Sequence, residues 1–284
     1  MNARGPTFKR IVLGFSHGSI DRGAVDLAAE LADKLAIDLF GLFLADENVR
    51  SLAALPFARE LRVLGAGWQP IDVDRLEHEL DVAARSAQRL FEQAARSLRV
   101  ASSFEIAAGP VGRTLESLSR AGDIVLLAEP KSAAERMAHP FVSLLDAALR
   151  SAASVLLVPS RMAHPAGSIV AIAMRPDDRS IDAAFVMSAV IGADVALVQA
   201  YKEQGHAPVA SFPGAEVVRL AGEALTDAGY LTATLGRLHE RLLVMTREGF
   251  EKVGPSLIAS LRRAPMLVLG PPQNAVPDIP AADA

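Results

Sequence analysis

The 284-residue chain has no cysteine, one tryptophan and a net charge of only −4. Without cysteine it cannot form disulfides, thiolate metal sites or a cysteine nucleophile. A charge balance this close to neutral lacks the basic excess of most nucleic-acid binders, so we expect no nucleic-acid partner. No charge-free apolar run approaches the ~20 residues of a membrane helix, and the first residues lack a signal peptide's apolar stretch. We therefore expect a cytoplasmic protein with no membrane partner.

The common sequence motifs for metal binding and for nucleotide-binding loops are also missing. No two of the six histidines lie three or four residues apart, so no helical metal pair is predicted. The chain contains no P-loop and no dinucleotide-binding glycine pattern. We expect no metal site, no catalytic residues and no enzymatic activity.

What the sequence does contain is a near-repeat. Apolar strands at 10–15 and 168–174 each lead through a polar turn into a helix, and apolar strands at 154–159 and 265–270 close the two halves. Continuous apolar strands alternating with helices are typical of parallel sheets covered on both faces. The sequence therefore predicts an α/β protein with a first domain at 8–160 and a second at 166–270. Residues 271–284 contain four prolines and no apolar periodicity, which predicts a disordered tail.

The second half is expected to lack one helix. In the first half, residues 73–98 have the periodic apolar stripe of a long helix. In the second half, only about fifteen residues separate the strands at 195–200 and 216–220, and they include several glycines and prolines. One face of the second sheet should therefore be uncovered.

This order of elements resembles the universal stress protein family. The resemblance rests on the strand at 10–15 with its polar turn, the alanine-rich helix that follows, and the closing strand at 154–159. The chain looks like a tandem member. The resemblance implies two Rossmann-like (adenine nucleotide alpha hydrolase-like) domains, each a five-stranded parallel sheet of order 3-2-1-4-5. It also implies that the two closing strands pair inside one chain as a pseudo-twofold monomer, which leaves the uncovered face of the second half for a homodimer.

The family's ATP-binding members carry an aspartate after strand one and a glycine-rich stretch after strand four, and this chain has neither. Ser16 and Met174 stand at the aspartate positions of the two halves. The glycine positions fall on Ala128, Lys131 and Phe141, and the hydroxyl position falls on Val142. Glycines let backbone amides approach phosphate, which bulky side chains prevent. We therefore expect a degenerate nucleotide-binding site and no cofactor.

Two segments remain as candidate sites. The turn Ser16-His17-Gly18-Ser19 follows a strand at the edge where α/β sheets bind ligands. With Lys131 as a cation for phosphate, this turn could form a divergent ATP- or AMP-binding site. The competing interpretation is an ordinary polar turn.

The second candidate lies in the long connection at 46–72. It contains Phe57, Arg59, Arg62 and Trp68, and exposed tryptophan and arginine are enriched at protein interfaces. Either these residues bind a partner protein, or the loop folds back to cap the core of its own domain or the uncovered face of the second half.

The leading interpretation is a non-enzymatic tandem protein, similar to universal stress proteins, that acts through protein–protein interaction in stress response or regulation. The alternative is an ATP- or AMP-binding module. A third possibility, an enzyme with a nucleotide substrate, has little support because no acid–base pair or activated nucleophile is visible.

Overall fold

The computed structural model describes residues 6–16, 21–46, 51, 53, 55–62, 67–109, 111–160, 166–201, 212–259 and 264–272. The contacts between residues divide the chain into two compact units. The first unit comprises residues 9–119 and 124–151, and the second comprises residues 1–8, 120–123 and 152–284. The closing strand of the first half thus groups with the second unit, whereas the sequence pattern predicts it in the first domain. The domain boundaries drawn from the sequence stay a prediction.

The first unit alternates strands and helices. Its elements are β1 (Arg10–Ser16), α1 (Arg22–Leu35), β2 (Asp38–Asp46), β3 (Arg59–Arg62), β4 (Gly67–Pro70), α2 (Val73–Leu98), β5 (Ser102–Gly109), α3 (Val111–Leu118), β6 (Asp123–Ala128), α4 (Ala133–Arg136) and α5 (His139–Arg150). The main strands lie in the order β6-β1-β2-β5, and β1, β2 and β5 are parallel. β3 and β4 form a separate antiparallel hairpin between β2 and α2.

The second unit repeats this alternation. Its elements are β7 (Ser154–Val158), β8 (Ser168–Ala173), α6 (Arg179–Ile191), β9 (Val195–Tyr201), β10 (Ala215–Ala221), α7 (Gly222–Thr226), α8 (Ala228–Leu238), β11 (Glu240–Thr246), α9 (Arg247–Ala259) and β12 (Met266–Leu269). The strands lie in the order β10-β9-β8-β11-β12-β7. Strands β8 to β12 are parallel and, counted along this half, have the order 3-2-1-4-5. The helix predicted to be missing falls between β9 and β10, and residues 202–211 lie outside the described residues, as does most of the predicted tail.

The two closing strands pair with each other inside the chain. β7 and β12 are antiparallel, with Leu156 opposite Leu267 and Leu157 opposite Met266. Every residue of both strands is buried. The amide of Gly270 also donates a hydrogen bond to the Ser154 hydroxyl at 3.0 Å. The pairing expected from the sequence is therefore observed, while the pseudo-twofold symmetry and a further homodimer stay predictions.

Local sequence signals explain where the main helices begin. The Asp21 carboxylate accepts a hydrogen bond from the Ala24 amide at 3.2 Å, and Asp72 caps α2 in the same way through Arg75 at 3.1 Å. The segment 222–238 forms two helices rather than one because Asp227 caps α8 through the Tyr230 amide at 2.8 Å. None of the helices in the described part of the chain is long and apolar enough to cross a membrane.

The core of the first unit depends on a glycine. The rings of Phe15, Phe91 and Phe104 pack edge to face or tilted, with centroids 5.5–6.3 Å apart. A side chain on Gly41 of β2 would lie 2.5 Å from the Phe104 ring. Gly41 therefore allows this aromatic cluster to pack directly on the sheet.

The pairing of β7 with β12 should be essential for stability. Leu156 and Leu267 are 2% and 1% exposed, so Leu156→Lys or Leu267→Lys would bury an unpaired ammonium group between the strands. We expect each change to lower the free energy of unfolding by about 3 kcal/mol or more, measured by urea unfolding. Leu98→Lys, on an exposed leucine of α2, is the matched control. Unfolding of Leu156→Lys at the wild-type midpoint would contradict this role.

Candidate functional site

Ligands of open α/β sheets bind beyond the carboxyl ends of the strands. In the first unit, that edge includes the end of β1 at Ser16 and the end of β6 at Ala128, on neighbouring strands. The backbone of Ser16 pairs in register with Leu44 of β2. The Ser16 side chain is not described, and His17, Gly18 and Ser19 lie outside the described residues, so this predicted turn stays a prediction.

The connection after β6 is built from side chains rather than from bare backbone. Lys131 is exposed, whereas the guanidinium of Arg136 is buried and donates to the carbonyl oxygen of Pro130 at 3.3 Å. Ser132 and Glu135 form a reciprocal capping box, with bonds of 3.1 and 3.4 Å. No residue from 128 to 142, all of which are described, has a positive φ. The loop therefore lacks the alternating backbone that turns successive amides toward an anion.

The predicted glycine positions are filled in the same way. Ala128 and Lys131 are exposed, and Phe141 is buried at the start of α5. Val142, at the predicted hydroxyl position, is exposed and apolar. No side chain caps α5, and Pro140 near its start removes one amide donor. The first unit thus offers a phosphate group few backbone donors after β6.

The second unit has lost this connection altogether. α9 begins at Arg247, directly after β11 ends at Thr246. Its first turn carries Glu248, whose pKa lies below its usual range because it accepts a hydrogen bond from Lys252 at 3.0 Å and faces the charges of Lys252 and Arg175. A carboxylate therefore stands at the helix N-terminus, where a phosphate group would bind.

The other helix N-terminus at this edge is occupied as well. The buried carboxylate of Asp178 accepts hydrogen bonds from the Ser180 amide at 2.9 Å and the Met174 amide at 3.1 Å. Met174 stands where the family's ATP binders have aspartate. Because Asp178 already binds these two amides, an incoming anion would meet its negative charge instead of free donors.

Two arginines at this edge are bound to the backbone. Arg179 donates to the Gly270 carbonyl oxygen at 3.0 Å, and Arg247 donates to the Ala153 carbonyl oxygen at 2.8 Å. Burial lowers the pKa of Arg247. These guanidinium groups connect the starts of α6 and α9 to the β7–β12 pair, so their contacts are structural.

The β3–β4 hairpin and the turn before it hold the residues predicted to bind a partner. Leu61 pairs with Trp68 and Arg62 with Gly67, and the Ile71 amide donates to the Ala58 carbonyl oxygen at 3.4 Å. Phe57 is 74% exposed and Trp68 is 64% exposed. Arg59 is also exposed, while the side chain of Arg62 is not described. In the described part of the chain, the extensive contacts of the hairpin are those between its own two strands. The exposed rings therefore do not cap the core of their own unit.

A cavity of about 550 Å³ lies at the opposite, amino-terminal edge of the second sheet. Its lining mixes cationic and anionic groups, namely Asp194, Glu216, Arg237, His239 and Arg241. The described residues contain no group of three or more histidine or acidic side chains that could hold a metal ion.

Comparison with known proteins is informative only at the level of structure. No family profile and no curated protein matches the sequence. A universal stress protein from Archaeoglobus fulgidus DSM 4304 superposes with a TM-score of 0.66 at 12% identity, over 94% of this chain and 98% of that one. A functionally unknown protein from Pseudomonas aeruginosa PAO1 superposes with a TM-score of 0.53 at 12% identity, over 93% of each chain.

These likenesses define the fold. Over nearly its whole length the chain has the Rossmann-like α/β fold of universal stress proteins, so the resemblance seen in the sequence is confirmed at the level of the fold.

Trp68 is the only tryptophan, which makes its exposure directly measurable. We expect fluorescence emission close to that of free tryptophan in water, quenching by acrylamide about as efficient as in the unfolded chain, and little red shift when guanidinium unfolds the protein. Trp68→Phe should remove the signal without changing thermal unfolding. A blue-shifted, poorly quenched emission would show that the indole ring is buried.

Proposed function

We propose that this chain is a non-enzymatic protein that acts by binding a partner protein in stress response or regulation. The observation that carries this proposal is the exposure of Trp68 on the β3–β4 hairpin and of Phe57 in the turn that leads into it. Large aromatic side chains usually lie in cores, and where they are exposed together they mark interaction sites. The stress-related role is drawn from the fold alone.

The chemistry of the described edges supports a role without catalysis. Arg247 is bound to a backbone carbonyl group and Glu248 to Lys252, so neither is placed to move a proton or to attack a substrate. A catalytic site needs a nucleophile, a base and a stabilising donor around one reacting atom. The described residues at the carboxyl ends of the strands serve as helix caps, ion pairs and braces.

The alternative is an ATP- or AMP-binding module. Lys131 is exposed and follows β6, which is the strand next to β1 in the sheet. This position favours the candidate. Lys131 would contact phosphate as a point charge and the turn Ser16–Ser19 would supply hydroxyl and amide groups. In the described part of the second unit, the carboxylates of Asp178 and Glu248 lie at the helix starts where a phosphate group would bind, so a comparable site is not expected there.

Titration calorimetry with ATP or AMP and magnesium separates the two functions. We expect no binding, or a dissociation constant weaker than ~10 μM, equivalent to about −7 kcal/mol, because side chains replace the backbone donors that phosphate needs. A tighter constant that Lys131→Ala weakens at least tenfold would establish the alternative instead.

Partner binding is tested by proximity labelling of neighbours in the cells that produce the protein. We expect Phe57→Ala with Trp68→Ala to remove a defined subset of labelled proteins. Tyr230→Ala, an exposed aromatic residue of the second unit (51% exposed), is the matched control and should keep the wild-type set. The same set of neighbours in all three proteins would exclude the hairpin as the binding site.

A further inference from the structure

Exposed apolar side chains are concentrated at the carboxyl edge of the first unit. The described chain exposes eleven large hydrophobic or aromatic side chains, and six of them belong to the connections that follow β2 and β6 or to the first turns of the helices after them. We call this set the apolar edge. It consists of Leu55, Phe57, Trp68, Val73, Met137 and Val142. Met137 is 61% exposed and Val142 is 43% exposed.

The topology brings these two connections to one end of the sheet. β1 lies between β6 and β2 in the strand order. β2 is parallel to β1, and the helical crossover through α3 makes β6 run in the same direction. The connection after β2 and the connection after β6 therefore leave the sheet at the same edge. This is the edge where an ATP-binding domain would present glycines and polar groups.

The charged side chains at this edge differ in whether they have an ion-pair partner among the described residues. Arg59 and Lys131 are exposed, and no described carboxylate lies within ion-pair distance of either. By contrast, Arg22 pairs with Asp26 at 3.8 Å and Arg75 pairs with Glu79 at 2.9 Å. The acidic groups nearby act locally, since Asp72 and Glu135 cap helices and Asp74 lies in the first turn of α2. Among the described residues beside the apolar edge, the charged groups with neither an ion-pair partner nor a place at a helix N-terminus are therefore cations.

We propose that the apolar edge binds a segment of another protein that presents large apolar side chains together with aspartate or glutamate. The inference rests on the proposed function and specifies its partner. The apolar side chains would cover the rings of Phe57 and Trp68, and the carboxylates would pair with Arg59 and Lys131. Such pairing of opposite charges selects partners and speeds their encounter.

The same observations disfavour the other occupants. A twofold contact between two copies of this edge would bring the cations of both copies together, which costs energy. A nucleotide would meet the exposed apolar side chains of Met137 and Val142 after β6, where its phosphates need amide donors. An acidic, apolar protein segment satisfies both the rings and the cations.

The test is a selection of random displayed dodecapeptides on the full chain, followed by fluorescence titration of the selected peptides. We expect the selected peptides to be enriched in leucine, phenylalanine or tryptophan together with aspartate or glutamate. Phe57→Ala with Trp68→Ala should weaken their binding at least tenfold. Arg59→Glu with Lys131→Glu should also weaken it, and should restore binding to a peptide whose acidic residues are replaced by lysine. Tyr230→Ala should bind as the wild type does.

Other results would overturn the proposal. Selected peptides that are basic or uncharged, or whose binding ignores the Phe57 and Trp68 changes, would exclude the acidic partner. Trp68-dependent binding to phosphatidylcholine–phosphatidylserine vesicles would assign the edge to a lipid surface, and Trp68-dependent self-association in sedimentation would assign it to a second copy. If the labelled neighbours in cells depend on the hairpin but the selected peptides are not acidic, the proposed function stands and this inference fails.

Both variant pairs change exposed side chains, so we expect them to fold. Thermal unfolding and circular dichroism equal to the wild type would confirm that lost binding reflects the surface itself.

Discussion

The structure depends on strands that are apolar on both faces. In β6, β7, β9, β11 and β12 the interior residues are buried whichever side of the sheet they face. Such strands need helices on both sides, and small residues let those helices pack closely, as with the fully buried Ala28, Ala29 and Ala87. The faces of the sheets are therefore committed to packing. Function can vary only at the ends of the strands and in segments inserted between elements.

At the ends of the strands, the two halves differ from a phosphate-binding loop in different physical ways. The first half keeps a connection after β6, but its backbone carbonyl groups face the buried Arg136 and its glycine positions carry side chains. The second half has no connection, because α9 follows β11 directly, and carboxylates stand at both helix N-termini. Glycine at positions 128, 131 and 141 would not turn the backbone amides toward a phosphate group, because the Arg136 guanidinium would still bind the Pro130 carbonyl oxygen.

The apolar pattern was sufficient to predict most of the fold. It placed α2 at 73–98 with the bounds that the structure has, because this helix has strong periodicity and a clear N-cap at Asp72. The hairpin was missed because β3 and β4 have four residues each and lack apolar alternation. The start of α9 directly after β11 was not predicted either, although the Thr246 hydroxyl accepts a hydrogen bond from the Gly249 amide at 3.4 Å. Residue types identified Trp68 and Phe57 as candidates, but only the structure could decide their exposure.

The exposure of Phe57 and Trp68 distinguishes between the two interpretations of the segment at 46–72. In the sequence, Phe57 and Trp68 fit a cap over the core as well as a contact with a partner, since both uses bury aromatic area. In the structure the two rings remain in solvent, although each would gain roughly 1.5–3 kcal/mol from full burial. Met137 and Val142 at the same edge are also exposed, so they do not contribute to the buried core either. These side chains lie in water at the same edge as Arg59 and Lys131, which have no ion-pair partner among the described residues, and this combination is the one that the proposed binding of an acidic, apolar segment requires.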